Sequence, residues 1–314
     1  MHEFNILDAH CDTAGLLSRQ HRLWHNSGHL DLERMRSYRW WMQFFAIWVD
    51  PQLSPAAQAA SCDAMIDQYY AQLRENADYI TPVTTAAQAQ AALRDGRAAA
   101  FLTIEGAGPI GNTLSGLYHA YERGVRCITL TWNPTNLLAT GAGERRPKFG
   151  LTPFGREVVV QMNRLGMLVD VSHSSERTFW DVCELTCAPI IASHSNAKAV
   201  HNHVRNLTDQ QFLAICKMGG VVGINYYPEF VNGNRTCTID DIVRHIEHFC
   251  ALGGAENIGL GGDFDGIGYT PSDLCGVQDV YALLNRLLSL GYSETLVKKI
   301  ASENFLRLVQ HVCG

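Results

Sequence analysis

The chain has 314 residues, 46% of them hydrophobic and 18% charged, which excludes a disordered protein and allows a large core. With 25 basic and 31 acidic residues its net charge is −6, which excludes the broad basic surface typical of a nucleic-acid binder. No apolar run approaches the roughly 20 residues that span a bilayer, and no secretory signal is visible. We therefore expect a cytoplasmic protein with neither a membrane nor a nucleic-acid partner.

Short apolar runs rich in β-branched residues alternate with longer segments of helical character along the chain. The predicted strands are residues 4–7, 44–49, 99–104, 125–130, 167–171, 189–192, 221–224 and 258–260. The predicted helices include residues 56–74, 84–94, 154–165, 176–185, 209–217 and 239–252. Nearly continuous apolar runs are typical of strands that are buried on both faces, as in a parallel sheet.

Eight such strands with intervening helices predict a single domain over residues 1–314 with the (β/α)8 TIM barrel fold. The alternative is a doubly wound open sheet, which usually has a Gly-rich phosphate loop after an early strand. Gly106 and Gly108 follow the third run, but this stretch is too short for such a loop.

Ten cysteines are spread along the chain, and no two of them form a CxxC pair. A zinc ribbon or a thioredoxin-type motif is therefore not expected. In a reducing cytosol these residues are predicted to be free thiols, most of them buried as small apolar side chains.

Metal-ligating side chains occur where predicted strands end. They are His10 and Asp12 after the first run, Glu105 after the third, His173 after the fifth, His194 after the sixth and Asp263 after the eighth. A single histidine at a strand end is more often a hydrogen-bonded core residue than a ligand, and a single aspartate after a strand is often the cap of the next helix. Together they lie at the end of the barrel where active sites occur, and they suit two metal ions with one bridging carboxylate. This pattern predicts a metal-dependent hydrolase.

Several longer motifs carry a resemblance to a known family. They are DAHCD at 8–12, GREVV at 155–159, VDVSH at 169–173, IASHSN at 191–196, VRNLTD at 204–209, GGDFDG at 261–266 and ASENFLR at 301–307. With them the chain resembles, over essentially its whole length, the membrane dipeptidase (renal dipeptidase-like) metallopeptidases of the amidohydrolase superfamily. Eukaryotic members are secreted and lipid-anchored, whereas this chain shows neither signal and resembles a bacterial cytosolic relative.

The resemblance implies a role for each matched residue. His10 and Asp12 are implied to bind one zinc ion, His173 and His194 a second, and Glu105 is implied to bridge both. Asp263 is implied to be the carboxylate that shuttles the proton, Arg205 to hold the terminal carboxylate of the substrate, and Tyr227 to contact the substrate.

The expected mechanism follows from this inventory. Two Zn²⁺ ions about 3.5–4 Å apart that share one water lower its pKa toward about 7, and the bridging hydroxide attacks the amide carbonyl. Asp263 returns the proton to the leaving amine. The planar guanidinium of Arg205 pairs with a free carboxylate, which favours dipeptides over longer peptides.

One position departs from the family pattern. Trp132 occupies the place where mammalian members have a histidine that contacts the substrate carbonyl after the fourth strand. An indole has a single N–H donor and no group that ionises near neutrality, so Asn133 is the alternative donor. The other interpretation of Trp132 is packing at the barrel rim.

The resulting prediction is a zinc-dependent dipeptidase whose partner is a small dipeptide and whose assembly is a candidate homodimer. Dipeptides with a C-terminal D-residue are included, because the loop over residues 133–150 is expected to be a flexible, poor steric filter. Arg145 and Arg146 in that loop are candidates for favouring an acidic side chain. The alternatives are a hydrolase of N-acyl amino acids or other small carboxylated amides, and a non-catalytic binding protein on the same barrel.

Overall fold

A closed, all-parallel β-barrel organises the chain. The computed structural model describes residues 2–146 and 148–314. Its strands are β1 (His2–Cys11), β2 (Tyr38–Trp48), β3 (Ile80–Val83), β4 (Ala98–Glu105), β5 (Cys127–Thr129), β6 (Leu168–Asp170), β7 (Ile191–Ala192), β8 (Val221–Ile224) and β9 (Ile258–Leu260). Eight of them close the barrel in the order β1, β2, β4, β5, β6, β7, β8 and β9, since β9 pairs again with β1. The predicted (β/α)8 fold is confirmed.

Strand β3 is an addition that sequence analysis did not predict. It pairs with Ala98 to Phe101 at the lower half of β4, while β5 pairs with the upper half of β4 from Thr103 to Glu105. Proline lacks the N–H that a central strand needs, and the Pro82 within this four-residue segment lowers its strand signal. The position of β3 at the end of the sheet order tolerates that proline.

The connections between the barrel strands are mainly helical. The α-helices are α1 (Thr13–Leu16), α2 (Leu32–Met35), α3 (Pro55–Glu75), α4 (Ala86–Arg94), α5 (Leu114–Glu122), α6 (Pro153–Leu165), α7 (Glu176–Leu185), α8 (Asp209–Lys217), α9 (Pro228–Val231), α10 (Ile239–Ala251), α11 (Val280–Ser289), α12 (Glu294–Lys298) and α13 (Asn304–Cys313). Short 3-10 turns lie at Gly108–Ile110, Ala255–Asn257 and Val277–Asp279, and a π-helical turn lies at Lys299–Glu303. None of the helices in the described ranges combines the length and apolar character needed to span a bilayer.

Local sequence signals account for where the longer helices begin. The side chains of Ser54, Thr85, Thr152 and Ser175 each accept a hydrogen bond from a backbone N–H in the first turn of the following helix. Helices α3 and α6 have proline in that first turn, where its missing N–H costs nothing. These capping residues end each strand-to-helix loop at a defined point, which fixes the length of the loops above the barrel.

The barrel interior is filled in its lower half and polar in its upper half. Alternate residues such as Met42, Phe44 and Phe101 form a buried cluster with Phe305 and Leu308 of α13, which closes the bottom of the barrel. Further along the same faces of these strands, toward their carboxyl ends, apolar side chains give way to polar ones. Because side chains alternate along a strand, the face that carries Phe101 also carries Glu105.

Candidate metal centre

The predicted metal-ligating residues converge above the carboxyl end of the barrel. The Glu105 Oε1 atom lies 2.9 Å from His173 Nε2, 3.4 Å from His194 Nε2 and 3.8 Å from His10 Nε2. Glu105 is the last residue of β4 and only 5% exposed. The structure thus brings a buried carboxylate to the centre of three imidazoles from three other strands.

His10 links this group to two further carboxylates. Its Nε2 atom lies 3.3 Å from Asp12 Oδ2 and 3.8 Å from Asp263 Oδ1. Two sets of ligand atoms are therefore close enough to surround a cation, His10 with Glu105 and His194, and His10 with Asp12 and Asp263. Imidazole nitrogens with carboxylate oxygens are ligands typical of zinc and other transition metals.

His173 and His194 face each other through Nε2 atoms that both carry a lone pair, so no hydrogen bond joins them. His173 Nε2 and His194 Nε2 are 2.9 Å apart, and both also approach Glu105 Oε1. The surrounding groups, described below, engage the Nδ1 atom of each ring, so each Nε2 presents a lone pair to the other. Lone pairs at this distance repel unless a cation lies between them, and the geometry therefore fits divalent metal ions.

The electrostatics of the cluster point to the same conclusion. Burial, followed by the neighbouring charge of Asp12, raises the pKa of Glu105 well above its usual value. Burial lowers the pKa of both His173 and His194 well below the ordinary value, and the Arg205 charge adds to this. Burial opposes protonation of His10, but the charges of Glu105, Asp12 and Asp263 outweigh it and raise its pKa to about 10. Buried carboxylates at such short distances need positive charge, which bound cations would supply.

A buried relay orients His194. Ser193 Oγ donates a hydrogen bond to Asp170 Oδ2 at 2.6 Å and lies 2.8 Å from His194 Nδ1. Because its hydroxyl proton is used on Asp170, Ser193 Oγ accepts from the His194 Nδ1–H, which leaves Nε2 unprotonated. Asp170 is held in turn by the Thr129 hydroxyl at 2.6 Å and the Ser172 backbone N–H at 3.0 Å. Such partners of a metal-binding histidine set its tautomer and ring orientation.

Asn133 plays the corresponding part for His173. Its Oδ1 atom accepts a hydrogen bond from His173 Nδ1 at 2.9 Å, so the Nε2 lone pair of His173 points toward Glu105. Sequence analysis predicts that Asn133 contacts the substrate. Its side-chain oxygen engages His173, a predicted metal ligand, and the residue also lines the cleft described below. Trp132 lies beside it, half-buried, with its ring edge-on to Trp48 at 5.2 Å between centroids.

Asp263 is positioned by backbone strain and by an amide that sequence analysis missed. Its φ of 61° lies in the left-handed region, as does the φ of 63° at His173, and non-glycine residues adopt this region uncommonly. Asn225 Nδ2 donates to Asp263 Oδ2 at 2.9 Å. Burial outweighs the opposing charge of His10 and raises the pKa of Asp263 to about 6. A carboxyl group with a pKa in this range is suited to proton transfer near neutral pH.

Arg205 lies buried behind the histidines. It is 5% exposed, its Nη2 donates to the His194 backbone carbonyl at 3.3 Å, and its guanidinium lies over the Phe230 ring at 5.3 Å. Its Nε atom is buried without a hydrogen-bond partner in the described structure. A buried cation with an unused donor is able to bind an anion that enters the site.

A metal cleft of about 510 Å³ opens over this centre. Besides Asp12, Glu105, His173 and Asp263, it is lined by aromatic and apolar side chains that include Trp48, Met65, Trp132, Tyr227 and Phe230. The predicted substrate-contact residues Tyr227, Trp132 and Asn133 therefore all face the cleft. Arg145 and Arg146 are exposed and are not among the described residues that line the metal cleft.

Hydrogen bonds hold part of the loop over residues 133–150, which sequence analysis expects to be flexible. Ala142 N–H donates to the His173 carbonyl at 2.7 Å, and Gly143 N–H donates to the Asn133 carbonyl at 2.9 Å. Asn136 accepts from the Leu138 and Ala139 backbone with its side-chain oxygen. These contacts hold residues 136–143 beside the candidate metal centre, and the effect of the loop on the choice of substrate stays a prediction.

Sequence analysis missed the residues whose role depends on a hydrogen-bond partner from another strand or loop. Asn225 follows β8 directly, so its place after a strand was a usable signal, whereas nothing marks Ser193 or Asp170 as parts of a relay. Asp8, buried in β1, accepts from the backbone N–H groups of His10 and Gly262 and thus joins β1 to the β9 loop.

Comparison with known proteins places these observations in context. Residues 1–313 match the model of the family described as membrane dipeptidase, peptidase family M19. Two uncharacterized dipeptidases of Schizosaccharomyces pombe are similar in sequence: one is 40% identical over 65% of this chain and 51% of the relative, the other 36% identical over 81% and 64%. The chain thus spans about half to two thirds of the length of these curated relatives.

Two solved structures share the fold closely. A crystal structure of a metallopeptidase from Rhodobacter sphaeroides, liganded with a phosphinate mimic of the dipeptide L-Ala-D-Ala, is 28% identical with a TM-score of 0.92 over 99% of both chains. A crystal structure described as the dipeptidase AC, a metallopeptidase, is 29% identical with a TM-score of 0.93 over all of both chains.

Proposed function

Because the chain belongs to the membrane dipeptidase family, we propose that it is a zinc-dependent dipeptidase that cleaves the amide bond of dipeptides, including those with a C-terminal D-residue. The observation that carries this proposal is the convergence of three imidazoles and three carboxylates, Glu105 among them. The dipeptide mimic bound by the Rhodobacter sphaeroides relative supports the substrate class.

The chain offers ligands for two ions. His10 and Asp12 would hold one, His173 and His194 the other, and Glu105 would lie between both. When bound, zinc ions polarise an amide carbonyl and lower the pKa of water, which makes water a nucleophile at neutral pH. The orientation of His173 and His194 by Asn133 and Ser193 supports this assignment, since both rings present an unprotonated Nε2 to the centre.

The remaining roles fall to side chains around the ligands. Asp263, held by Asn225, would accept the proton of the attacking water and deliver it to the leaving amine. Arg205 would pair with the C-terminal carboxylate of the substrate through its guanidinium. The aromatic walls of the metal cleft, among them Tyr227 and Phe230, would exclude water from the scissile bond.

Metal analysis combined with a dipeptide assay tests this proposal. Purified protein is expected to hold up to two zinc ions, to lose hydrolysis on chelation and to regain it with added zinc. Glu105→Gln keeps the side-chain shape but removes the shared negative charge, so it is expected to lower both metal content and rate. Full activity in stringently metal-free protein would refute the proposal, and normal metal content in Glu105→Gln would refute the bridging role.

A substrate panel separates the dipeptidase from a hydrolase of N-acyl amino acids. Both activities need the metals and Arg205, but only the dipeptidase needs a free α-amine on the acyl side of the amide. We expect L-Ala-L-Ala to be hydrolysed at least about tenfold faster in kcat/KM than N-acetyl-L-Ala, a difference of about 1.4 kcal/mol. We also expect L-Ala-D-Ala within about tenfold of L-Ala-L-Ala. A hundredfold preference for L-Ala-L-Ala would refute only the proposal that dipeptides with a C-terminal D-residue are substrates.

A further inference from the structure

A second cavity, the outer compartment, lies beside the metal cleft and has no role in the mechanism above. Its volume is about 650 Å³, and its walls come from the loops after β2, β4 and β5. Glu105, Trp132 and Asn133 line both the outer compartment and the metal cleft. These three residues thus form the boundary between the two spaces, with Trp132 as its bulkiest side chain.

The outer compartment contacts the reacting centre at one point. Glu105 is its only wall residue among the predicted metal ligands, whereas the metal cleft touches Asp12, Glu105, His173 and Asp263. The amide under attack would therefore lie in the metal cleft, and a group attached to it would reach the outer compartment past Trp132. The edge-on contact with Trp48 at 5.2 Å fixes the Trp132 ring at this boundary.

The order of strands in the barrel shows which end of a dipeptide would point there. Phe230, under the Arg205 guanidinium, follows β8, and in the eight-stranded barrel β8 lies across from β4. Phe230 lines the metal cleft, whereas Arg205 lines a smaller adjoining cavity together with His173 and donates to the His194 carbonyl after β7. A carboxylate held by Arg205 would thus lie on the β7 and β8 side of the centre, away from Trp132. The other residue of the dipeptide, which carries the free amine, would extend toward the outer compartment.

The walls of the outer compartment determine the chemistry that it accepts. Val49, Pro51, Pro55 and Leu137 supply apolar surface, and Gln52 and Asn136 supply neutral amides. Among the described residues that line the outer compartment, only Glu105 is ionisable. Its carboxylate already contacts His173, a predicted metal ligand. A charged side chain that entered this space would lose water without gaining a counter-ion, which is unfavourable.

From these observations we propose that the outer compartment is the binding site for the side chain of the substrate's N-terminal residue, and that it selects uncharged aliphatic or amide side chains. Trp132 is the specificity-determining residue at its entrance. This inference rests on the proposed dipeptidase activity and adds to it the class of substrate.

Charge substitution at the exposed Gln52 tests the inference with little effect on folding. The rates to compare are kcat/KM of the zinc-loaded protein for two series, X-Ala and Ala-X, with X being Leu, Gln, Glu or Lys. The unaltered protein is expected to favour Leu-Ala and Gln-Ala over Glu-Ala and Lys-Ala by about tenfold or more. Gln52→Lys is expected to improve Glu-Ala relative to Leu-Ala about threefold to fivefold, the effect of one partly exposed ion pair, and Gln52→Glu to do the same for Lys-Ala.

The matched control is the same pair of substitutions at Gln90, which is exposed on α4 outside both cavities. Gln90→Lys and Gln90→Glu are expected to leave both series unchanged. The inference is overturned if the Gln52 variants alter the Ala-X series instead of X-Ala, or if they alter neither. If the zinc-loaded protein hydrolyses no dipeptide of either series, the proposed function itself fails, which is a distinct result.

Discussion

Single hydrogen bonds decide the chemical state of the predicted metal ligands. Ser193 and Asn133 each engage the Nδ1 atom of a histidine, which directs the lone pair of Nε2 to the ligand cluster around Glu105. A histidine is ligand, acid or base according to which nitrogen carries the proton, so these neighbours are as important as the rings themselves. Asn133, predicted to contact the substrate, thus also orients His173.

Substitution of Ser193 tests this point. Ser193→Ala removes both the acceptor for the His194 Nδ1–H and the donor to Asp170, so zinc affinity is expected to fall about 10-fold to 100-fold. Affinity is measured by competition with a chromophoric chelator. Ser193→Thr keeps the hydroxyl and is expected to retain most of the affinity. The control is Ser195→Ala, at a buried serine whose hydroxyl has only a 3.4 Å contact to Ser172. Equal affinity in Ser193→Ala and Ser195→Ala would contradict the relay.

The planar shape of Arg205 is testable in the same way. Arg205→Lys keeps the charge but loses the planar pair of N–H donors that matches a carboxylate. The transition state for dipeptide hydrolysis is therefore expected to lose about 1.5–3 kcal/mol of stabilisation, which is measured as a lower kcat/KM. The loss is expected to shrink for dipeptide amides, which lack the carboxylate. Arg145→Lys, at an exposed arginine, serves as the control. Equal losses on acid and amide substrates would show that Arg205 does not bind the carboxylate.

At the scale of secondary structure, a buried histidine joins three elements around the upper barrel. His245 of α10 accepts from the Ala197 backbone N–H at 3.0 Å and has its Nε2 2.8 Å from the Val231 carbonyl at the end of α9. Both contacts require the neutral ring, with Nε2 as the donor to Val231. Burial lowers the pKa of His245 from 6.5 to about 4, so the folded protein keeps it neutral where an unfolded chain would protonate it.

This shift predicts a loss of stability in mild acid. Above pH 6.5 the ring is neutral in both states, and as the pH falls toward 4 only the unfolded chain gains the proton, so the free energy of unfolding decreases. Between pH 7 and 5 the loss from this group is about 2 kcal/mol. His245→Gln is less stable at pH 7 but is expected to lose about 2 kcal/mol less over this range, as measured by urea unfolding in the presence of chelator. Parallel pH dependence in both proteins would exclude His245 as the cause.

At the scale of the whole molecule, repulsion between the carboxylates of the candidate metal centre lowers the stability of the barrel that holds them. Glu105, Asp12 and Asp263 approach one another through folding of strands distant in sequence, and no positive charge within the cluster balances all three. The buried lower core, closed by α13, supplies the favourable free energy that holds these groups together. Bound cations would remove the repulsion and would stabilise the folded state by mass action.

Metal removal is therefore expected to lower the thermal midpoint. At a free zinc concentration about 1,000 times the dissociation constant, the gain is about 4 kcal/mol, or roughly 10 °C for a chain of this size. Differential scanning fluorimetry of chelated and zinc-reconstituted protein measures this shift. Glu105→Gln, which relieves part of the repulsion, is expected to show a smaller shift. An identical midpoint with and without zinc would contradict strong binding at this centre.

The sequence by itself determined the pattern of the barrel and the identity of the chemically active residues. All eight predicted strand segments overlap barrel strands, because continuous apolar runs and Ser or Thr caps are local signals. His10, Asp12, Glu105, His173, His194 and Asp263 were identifiable because a polar residue after a buried strand stands out in the chain. Their individual roles, five as metal ligands and Asp263 as the proton shuttle, came from the resemblance and stay predictions.

Only the tertiary structure decided how these residues are oriented and what surrounds them. The relay through Ser193 and Asp170, the contact of Asn133 with His173 and the position of Trp132 between two cavities all join residues from different loops or strands. The proline-containing β3 was likewise recognisable only by its pairing with β4. Hydrogen bonds and cavity walls depend on which strands become neighbours when the barrel closes, and no local pattern in the chain specifies that contact.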